Sequence, residues 1–326
     1  MTENNLKHYF EVKSFIAWLG GKNKIINLLE NFLPADFNNL NNITYVEPFL
    51  GGGSFLFHIL LNYSNIDKVI VNDLNYDLIE TYKVIKNNSN ELISYLDKLE
   101  NKYLNINNID DKRDFYHEKR NRYNNSNLNS IEKSSLFIFL NKTGFSGRFR
   151  TNKEGQFNTS FAARDNLRSI YNKENIINCS NLLKIKDVIF LSDDFSKVLE
   201  YVDSKNVFLY LDPPYKPDKN DRIGQGCKIY SFEAFDDTSQ IRLKEFCDIL
   251  TDNKFKFLES NSDPLIENSN ESYFEKLYDK YIIEKIISPQ NFHKFIDKSK
   301  DIEKTEILIR NYSKIKKDNF KITTLF

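Results

Sequence analysis

Seven short, strongly apolar runs constrain the fold of this chain more than any other feature of its sequence. Most of them are almost continuously apolar rather than alternating, which is typical of β-strands covered on both faces. They occupy residues 43–48, 68–73, 187–192, 206–212, 254–260, 280–287 and 304–312. Helical patterns lie between several of them, at residues 23–32, 54–61, 76–86 and 238–250. This alternation predicts an α/β fold with a doubly wound, mainly parallel sheet of seven strands.

The strand and helix alternation is interrupted between residues 88 and 185, a gap too long for one crossover connection. Helix-like stretches at residues 111–122 and 131–141 are followed by a glycine- and aromatic-rich segment, residues 141–161, that is typical of a β-hairpin. Residues 111–173 carry 13 Lys and Arg against 6 Asp and Glu, although the two signs balance at 46 each over the whole chain. We therefore predict one domain from residues 1–87 and 186–326, with a basic inserted domain at residues 88–185.

Cations and aromatic rings alternate in the inserted domain, at Arg148, Phe149, Arg150 and Lys153. Such a pattern pairs groups that bind phosphate with rings that stack on bases, so it favours contact with nucleic acid. A solvated helical cap is the alternative interpretation of the charge alone.

The cysteines and the N-terminus argue against two other classes of protein. Cys179, Cys227 and Cys247 lie far apart and form no C-x-x-C pair, so neither a zinc site nor a disulfide framework is expected. The N-terminus lacks a signal-peptide pattern, and no run approaches about 18 apolar residues. We expect a soluble, cytoplasmic protein.

A glycine-rich turn follows the first predicted strand, in the sequence V-E-P-F-L-G-G-G-S. Glycines between a strand and a helix let the backbone approach a ligand, and the acid Asp73, which ends the next strand, can accept hydrogen bonds from a ribose. The dinucleotide fingerprint would need a further glycine where this chain has Leu56, and no triphosphate-binding loop is present. A nucleoside ligand without a phosphate is favoured, and S-adenosylmethionine is compatible with the pattern.

Five segments carry a family resemblance in this order: F-I-A-W-L-G-G-K-N-K-I (15–25), V-E-P-F-L-G-G-G-S (46–54), V-N-D-L-N-Y-D-L (71–78), L-N-K-T-G-F-S-G-R-F-R-T-N with G-Q-F-N (140–158), and L-D-P-P-Y (211–215). Together they resemble the Dam-type, D12-class (group alpha) DNA adenine N6-methyltransferases. The resemblance implies a Rossmann-like methyltransferase fold, S-adenosylmethionine as the cofactor, and no metal ion.

The same resemblance implies three sets of site residues. The catalytic set is Asp212, Pro213, Pro214 and Tyr215. The cofactor set is Trp18, Gly20, Lys22, Phe49, Gly51, Gly53, Asp73 and Asp212. The DNA-binding set in the inserted domain is Asn141, Lys142, Ser146, Arg148, Arg150, Lys153 and Ser160.

The D-P-P-Y sequence also has a direct chemical interpretation. Adenine N6 is a poor nucleophile, and a site can activate it by accepting hydrogen bonds from both of its N–H groups. The Asp212 carboxylate and the Pro213 carbonyl are suitable acceptors, the two prolines fix the backbone, and Tyr215 can stack on an extruded base. The alternative is a strand that simply ends in a proline turn.

The chain departs from the enzymes of this family that recognise GATC. Ala17 stands where those enzymes have a guanine-contacting lysine, and Arg148, Ser160 and Ser146 replace a leucine, a proline and an asparagine; Arg150 is retained. An arginine in place of an apolar contact favours a guanine in the target, so we expect a site other than GATC. The long loop at residues 288–306 is a further departure and is expected to be solvated.

The expected partners are double-stranded DNA and a cognate restriction endonuclease, or DNA alone if the chain is an orphan methylase. We expect a monomer associated with the nucleoid, without membrane contact. Two rivals stay open: methylation of cytosine N4 or of RNA adenine, which Asp212 disfavours, and a catalytically silent DNA-binding or cofactor-sensing module, which the intact Asp212, Tyr215 and glycines disfavour.

Overall fold

The computed structural model describes residues 12–164, 166–216, 235–265, 272–287 and 305–314. Cys227, His8, His293 and residues 288–304 of the predicted loop lie outside these residues. The last two residues of that loop, 305 and 306, belong to a strand, and Glu306 is buried rather than solvated. The described part contains a sheet of seven strands in the order β3-β2-β1-β4-β5-β7-β6. Its strands are β1 (Ile43–Glu47), β2 (Ile66–Asn72), β3 (Asp187–Leu191), β4 (Val207–Leu211), β5 (Lys256–Ser262), β6 (Ile282–Ile287) and β7 (Thr305–Arg310). Six of these strands run in one direction and β7 runs in the opposite direction, so the predicted, mainly parallel fold class is confirmed.

Eight α-helices accompany the sheet in the described residues. They are α1 (Ile26–Glu30), α2 (Ser54–Asn62), α3 (Tyr76–Leu104), α4 (Ile109–Asn125), α5 (Ser130–Thr143), α6 (Lys173–Ile185), α7 (Asp237–Asp252) and α8 (Tyr273–Leu277). Asparagines begin four of them, since the side chains of Asn75, Asn108, Asn129 and Asn172 each accept a hydrogen bond from a backbone N–H in the first turn. Asparagine is among the preferred N-cap residues, so the Asn-rich loops of this sequence fix where these helices start.

Helices cover both faces of the sheet, and the alternation of β4 shows how. Phe208 and Tyr210 belong to the core that contains α2, α3, α5 and α6, whereas Leu209 and Leu211 belong to the core that contains α7 and α8. All five residues of β4 are buried. A continuously apolar strand is therefore required here, as the sequence pattern predicted.

Residues 88–185, the segment predicted to form an inserted domain and called by that name below, differ from the sequence prediction in two places. Helix α3 continues to Leu104 rather than ending at residue 86, with a kink at Asn88, because Leu92, Ile93 and Leu96 supply a further buried face. The predicted hairpin turns back on itself as expected, but in the described residues it is held by isolated antiparallel bridges, Thr151 with Phe157 and Gly144 with Phe161, rather than by regular strands. Helices α4 and α5 match the predicted segments. Within the described ranges, no helix is both long and apolar enough to span a membrane.

Candidate active site

The carboxyl ends of β1, β2, β4 and β5 meet at one edge of the sheet. The neighbours of β1 are β2 on one side and β4 on the other, so the order of connection reverses between β1 and β4. Ligands of open α/β sheets bind in the crevice outside such a switch point. The glycine turn follows β1, Asp73 follows β2, and Asp212 follows β4, so the three sequence motifs meet at this crevice.

Asp73 joins two loops of the crevice. One of its carboxylate oxygens accepts a hydrogen bond from the Gly51 N–H at 2.9 Å, and the other accepts one from the Asn75 N–H at 2.9 Å. Burial raises the pKa of Asp73 above its ordinary value, while the two backbone donors oppose that rise. A carboxylate oxygen can accept two hydrogen bonds, so Asp73 keeps acceptor capacity for a ribose.

The glycines of the turn have a packing reason that the sequence did not reveal. A Cβ on Gly51 would lie 2.8 Å from the Trp18 ring, a Cβ on Gly52 would lie 2.8 Å from Ser14 Oγ, and a Cβ on Gly53 would collide with the Tyr82 hydroxyl. Gly53 also has a φ of 63° at the start of α2. Independently of any ligand, glycine lets the N-terminal segment and α3 close onto this loop.

Trp18 packs between the glycine turn and the inserted domain. Its ring centroid lies 6.2 Å from that of Phe149, with the two planes 26° apart, and it also approaches Phe137 of α5. Phe49, after β1, lies partly buried against Phe195. Leu74 follows Asp73 and is 62% exposed, an apolar side chain at the crevice that the sequence prediction did not include.

Asp212 is held by a cation and a hydroxyl. Its Oδ1 lies 2.8 Å from Lys22 Nζ and accepts a hydrogen bond from Ser260 Oγ at 3.0 Å. The Lys22 side chain is buried, donates to the Gly20 carbonyl at 2.7 Å, and places Nζ 4.6 Å from the centre of the Tyr215 ring. Burial raises the pKa of Asp212, and the charge of Lys22 is the main effect that opposes this rise.

Strand β5 and helix α7 fix the rest of the D-P-P-Y loop. The Lys216 N–H donates to Asn261 Oδ1 at 3.3 Å, and the Lys216 carbonyl accepts from Ser262 Oγ at 2.5 Å. Gln240 of α7 donates to the Pro214 carbonyl at 3.3 Å. The sequence predicted a strand at residues 254–260, which β5 matches, but nothing in the sequence pointed to Gln240.

In the inserted domain, the residues predicted to contact DNA separate into buried and exposed sets. Asn141 is buried: its amide accepts from the Ala17 N–H at 3.0 Å and donates to the carbonyls of Ala17 at 2.9 Å and Gly147 at 2.8 Å. Asn141 therefore ties the N-terminal segment to the turn after α5. The exposed set is Lys142, Ser146, Arg150, Lys153 and Ser160, with Arg148 half-buried.

The turn after α5 presents an exposed ring and constrained arginines. Phe145 is 59% exposed, and its N–H donates to the Ser160 carbonyl at 2.8 Å. Arg150 donates to the Asn158 side chain at 2.7 Å and to its carbonyl at 3.0 Å. The Nε atom of Arg148 is buried without a hydrogen-bond partner among the described residues.

The positive charges of the inserted domain are distributed unevenly. Several cations on its helices form ion pairs, as in Arg113 with Asp110, Lys119 with Glu118, and Arg122 with Glu132. No ion pair to a described residue is found for the cations of the turn region, which are Lys142 at the end of α5, Arg148, Arg150, Lys153 and Arg164. The turn region therefore carries positive charge that no described acid pairs with. No group of three or more His, Cys, Asp or Glu suited to a metal ion occurs in the described ranges.

Comparison with known proteins gives consistent matches. Residues 18–295 match the family described as D12 class N6 adenine-specific DNA methyltransferase. The Type II methyltransferase M.MjaIII of Methanocaldococcus jannaschii is 37% identical over 306 residues, which cover 93% of this chain and 100% of that protein. The Type II methyltransferase M.CviBI of Paramecium bursaria Chlorella virus NC1A is 28% identical over 92% of this chain and 100% of its own length. A DNA adenine methylase of Haemophilus influenzae is 30% identical over 66% of this chain and 68% of its own length.

The packing of the glycine turn predicts the effect of Gly53→Ala. We expect a loss of unfolding free energy of about 2–5 kcal/mol, because the left-handed backbone costs a non-glycine residue about 1–2 kcal/mol and overpacking against Tyr82 costs about 1–3 kcal/mol. Urea unfolding measures this loss, and it should shrink in a Tyr82→Phe background, which lacks the colliding hydroxyl. Gly20→Ala is the matched control: its φ is 78°, but its Cβ would meet only Lys22 Nζ, at 3.9 Å. Equal losses for Gly53→Ala and Gly20→Ala would contradict the packing argument.

Proposed function

This chain belongs to the D12 class of N6 adenine-specific DNA methyltransferases, and from that premise we propose that it acts on an adenine turned out of duplex DNA into the crevice beside Asp212. The methyl donor of this class is S-adenosylmethionine, whose sulfonium supplies an activated methyl group. The observation that carries the proposal is the carboxyl group of Asp212, held by both Lys22 and Ser260 at the end of β4 and across the switch point from Asp73. The names of two relatives, both Type II methyltransferases, support a Type II modification role. We propose in addition a cognate endonuclease as partner and the nucleoid as the place of action.

Several side chains of the crevice suit the cofactor. The carboxylate of Asp73 retains acceptor capacity for the ribose, while Phe49 and the exposed Leu74 offer apolar surface to a nucleobase. Lys22 and the left-handed Gly20 lie on the side of the crevice nearest Asp212. On this proposal, Trp18, Gly51 and Gly53 shape the site by packing against protein, and Asp73 contacts the nucleoside.

Asp212 and Pro213 would activate the target amine. The lone pair of adenine N6 is delocalised into the ring, so the nitrogen attacks only when its N–H bonds are polarised as the methyl group arrives. The Asp212 carboxylate accepts from one N–H and the Pro213 carbonyl accepts from the other, which moves N6 toward tetrahedral geometry. As the N–C bond forms and the S–C bond breaks, N6 loses one proton, which the Asp212 carboxylate can accept. Tyr215 provides the ring on which the extruded base stacks.

The turn region of the inserted domain would hold the DNA. Its cations, which have no acidic partner among the described residues, suit the phosphate backbone, and the exposed ring of Phe145 suits insertion beside the vacated base. Residues 88–185 form the recognition domain on this proposal, with Lys142, Ser146, Arg148, Arg150, Lys153 and Ser160 at the interface. Asn141 is buried below this interface and holds the turn to the N-terminal segment through its hydrogen bonds.

Asp212→Asn tests the catalytic assignment. We expect methyl transfer from labelled S-adenosylmethionine to DNA to fall about 100-fold or more, because the amide is neutral and a weaker acceptor for the developing charge. Asp187→Asn is the control, since Asp187 is an exposed acid of the edge strand β3, which β2 and β1 separate from β4, and its replacement should leave the rate unchanged. Equal labelling of DNA by wild type and Asp212→Asn, or no labelling by wild type, would contradict the proposal.

Ser260→Ala tests the requirement for an ionised Asp212. The Ser260 hydroxyl lowers the pKa of Asp212 against the effect of burial, so its removal raises that pKa further. Because activity needs the carboxylate, the acidic limb of the kcat/KM profile should move to higher pH. Ser262→Ala is the control, since its hydroxyl bonds the Lys216 carbonyl rather than Asp212, and its acidic limb should stay in place. Identical profiles for Ser260→Ala and wild type would show that another group sets this limb.

Arg148 gives a prediction about the recognised sequence. Its half-buried guanidinium, with a partnerless Nε, suits a guanine edge, and Ala17 offers no cation, so on this proposal the target contains a guanine and differs from GATC. Single-molecule methylome sequencing of an expressing host should show Arg148→Leu relaxing discrimination at one guanine by about 1–3 kcal/mol. Lys153→Ala should instead weaken methylation uniformly across sites. Methylation of GATC by both wild type and Arg148→Leu would contradict the prediction.

A further inference from the structure

Glu306 is a buried carboxylate whose partner belongs to the active-site loop. It lies on β7, the antiparallel strand between β5 and β6, and is only 5% exposed. Its Oε2 accepts a hydrogen bond at 3.0 Å from the hydroxyl of Tyr215, 91 residues earlier in the chain. Burying a carboxyl group in a sheet costs free energy unless the group is hydrogen-bonded. Packing alone therefore does not explain why a carboxyl group lies at this position.

The strand register explains how β7 reaches this loop. Glu306 is paired with Ser262 of β5, whose hydroxyl holds the Lys216 carbonyl. The end of β5 therefore fixes the backbone just after Tyr215, and β7, one strand further away, fixes the tip of the Tyr215 side chain. The two contacts act on adjacent residues of the same loop.

Two groups then restrain the Tyr215 ring in different ways. The hydroxyl oxygen lies on the axis about which the ring rotates, so the hydrogen bond to Glu306 fixes the position of the ring tip but does not by itself fix rotation about that axis. The Lys22 ammonium, 4.6 Å from the ring centre, restricts that rotation through cation–π attraction. Since Lys22 also pairs with Asp212, the orientation of the ring is coupled to the position of the carboxylate.

We propose that Glu306 is a positioning residue for methyl transfer: through its hydrogen bond it holds Tyr215 in the orientation on which the target adenine stacks, and so aligns N6 with Asp212. The inference rests on the proposed function. Glu306 touches neither substrate nor cofactor in this role. It acts through the position of Tyr215, but its charge also raises the pKa of Asp212, so a double-mutant cycle with Tyr215 is needed to isolate the hydrogen bond.

A double-mutant cycle tests the proposal. Glu306→Ala and Tyr215→Phe each break the hydrogen bond from one side, and each should lower the single-turnover rate by about tenfold, the scale expected when a stacking group is misoriented. The double variant should be no slower than the slower single variant, because both changes remove one interaction. Glu306→Gln keeps an acceptor at the same place and should restore the rate to within about twofold of wild type.

A second readout follows the base itself. DNA that carries 2-aminopurine at the position methylated by wild type should fluoresce more strongly when bound to Glu306→Ala, because the extruded base stacks less well on a mobile Tyr215. Binding of S-adenosylmethionine should be unchanged. A purely structural role would instead lower thermal stability and cofactor affinity together.

Several outcomes would overturn the inference. They are additive losses in the double variant, a wild-type rate for Glu306→Ala, and a wild-type rate for Tyr215→Phe. Because Tyr215→Phe keeps Glu306, its rate decides the question even if Glu306→Ala does not fold. A wild-type protein that transfers no methyl group to DNA would instead defeat the proposed function.

Discussion

The buried ion pair between Lys22 and Asp212 is the interaction on which the active site depends. Removing two charges from water is expensive, and their attraction offsets this cost only when further hydrogen bonds satisfy both groups. Those bonds are present: the Gly20 carbonyl accepts from Lys22, and the Ser260 hydroxyl donates to Asp212. Because Lys22 belongs to the N-terminal segment and Asp212 to the loop after β4, the pair closes one part of the chain over another.

The same closure explains the glycines of the turn after β1. For Lys22 to reach Asp212, the N-terminal segment must lie against this turn, and Trp18 contacts it where a side chain on Gly51 would collide. Asn141 then fixes the same segment from the inserted domain through the backbone of Ala17. The crevice is therefore assembled from three distant parts of the chain. A change in one of them would alter the position of Asp212.

The sequence predicted the sheet well because buried parallel strands leave a continuous apolar pattern that other structures rarely produce. It predicted Asp73 and Asp212 for a related reason, since polar residues directly after such strands lie at one edge of the sheet.

The sequence did not predict the contacts that join remote segments of the chain. Glu306 was visible as an acid within an apolar run, but its partner Tyr215 depends on β7 lying next to β5, a pairing that no local pattern encodes. Likewise, the sequence showed the charge excess of the inserted domain, but not which of its cations form ion pairs and which, in the turn region, do not.

The carboxyl groups near the ends of the central strands differ in their charge, and this difference bears on the chemistry. Burial raises the pKa of Glu47 to about 8, so Glu47 carries a proton at neutral pH despite a hydrogen bond from Tyr45. Asp212 is also buried, yet Lys22 and Ser260 oppose the rise in its pKa. The charge of Asp212 is one of the causes that raise the pKa of Glu47, whereas the acid whose charge raises the pKa of Asp212 is Glu306 of β7. The acceptors at the crevice are therefore Asp73 and Asp212, while Glu47, buried at the end of β1, carries a proton and adds no negative charge beside Asp212.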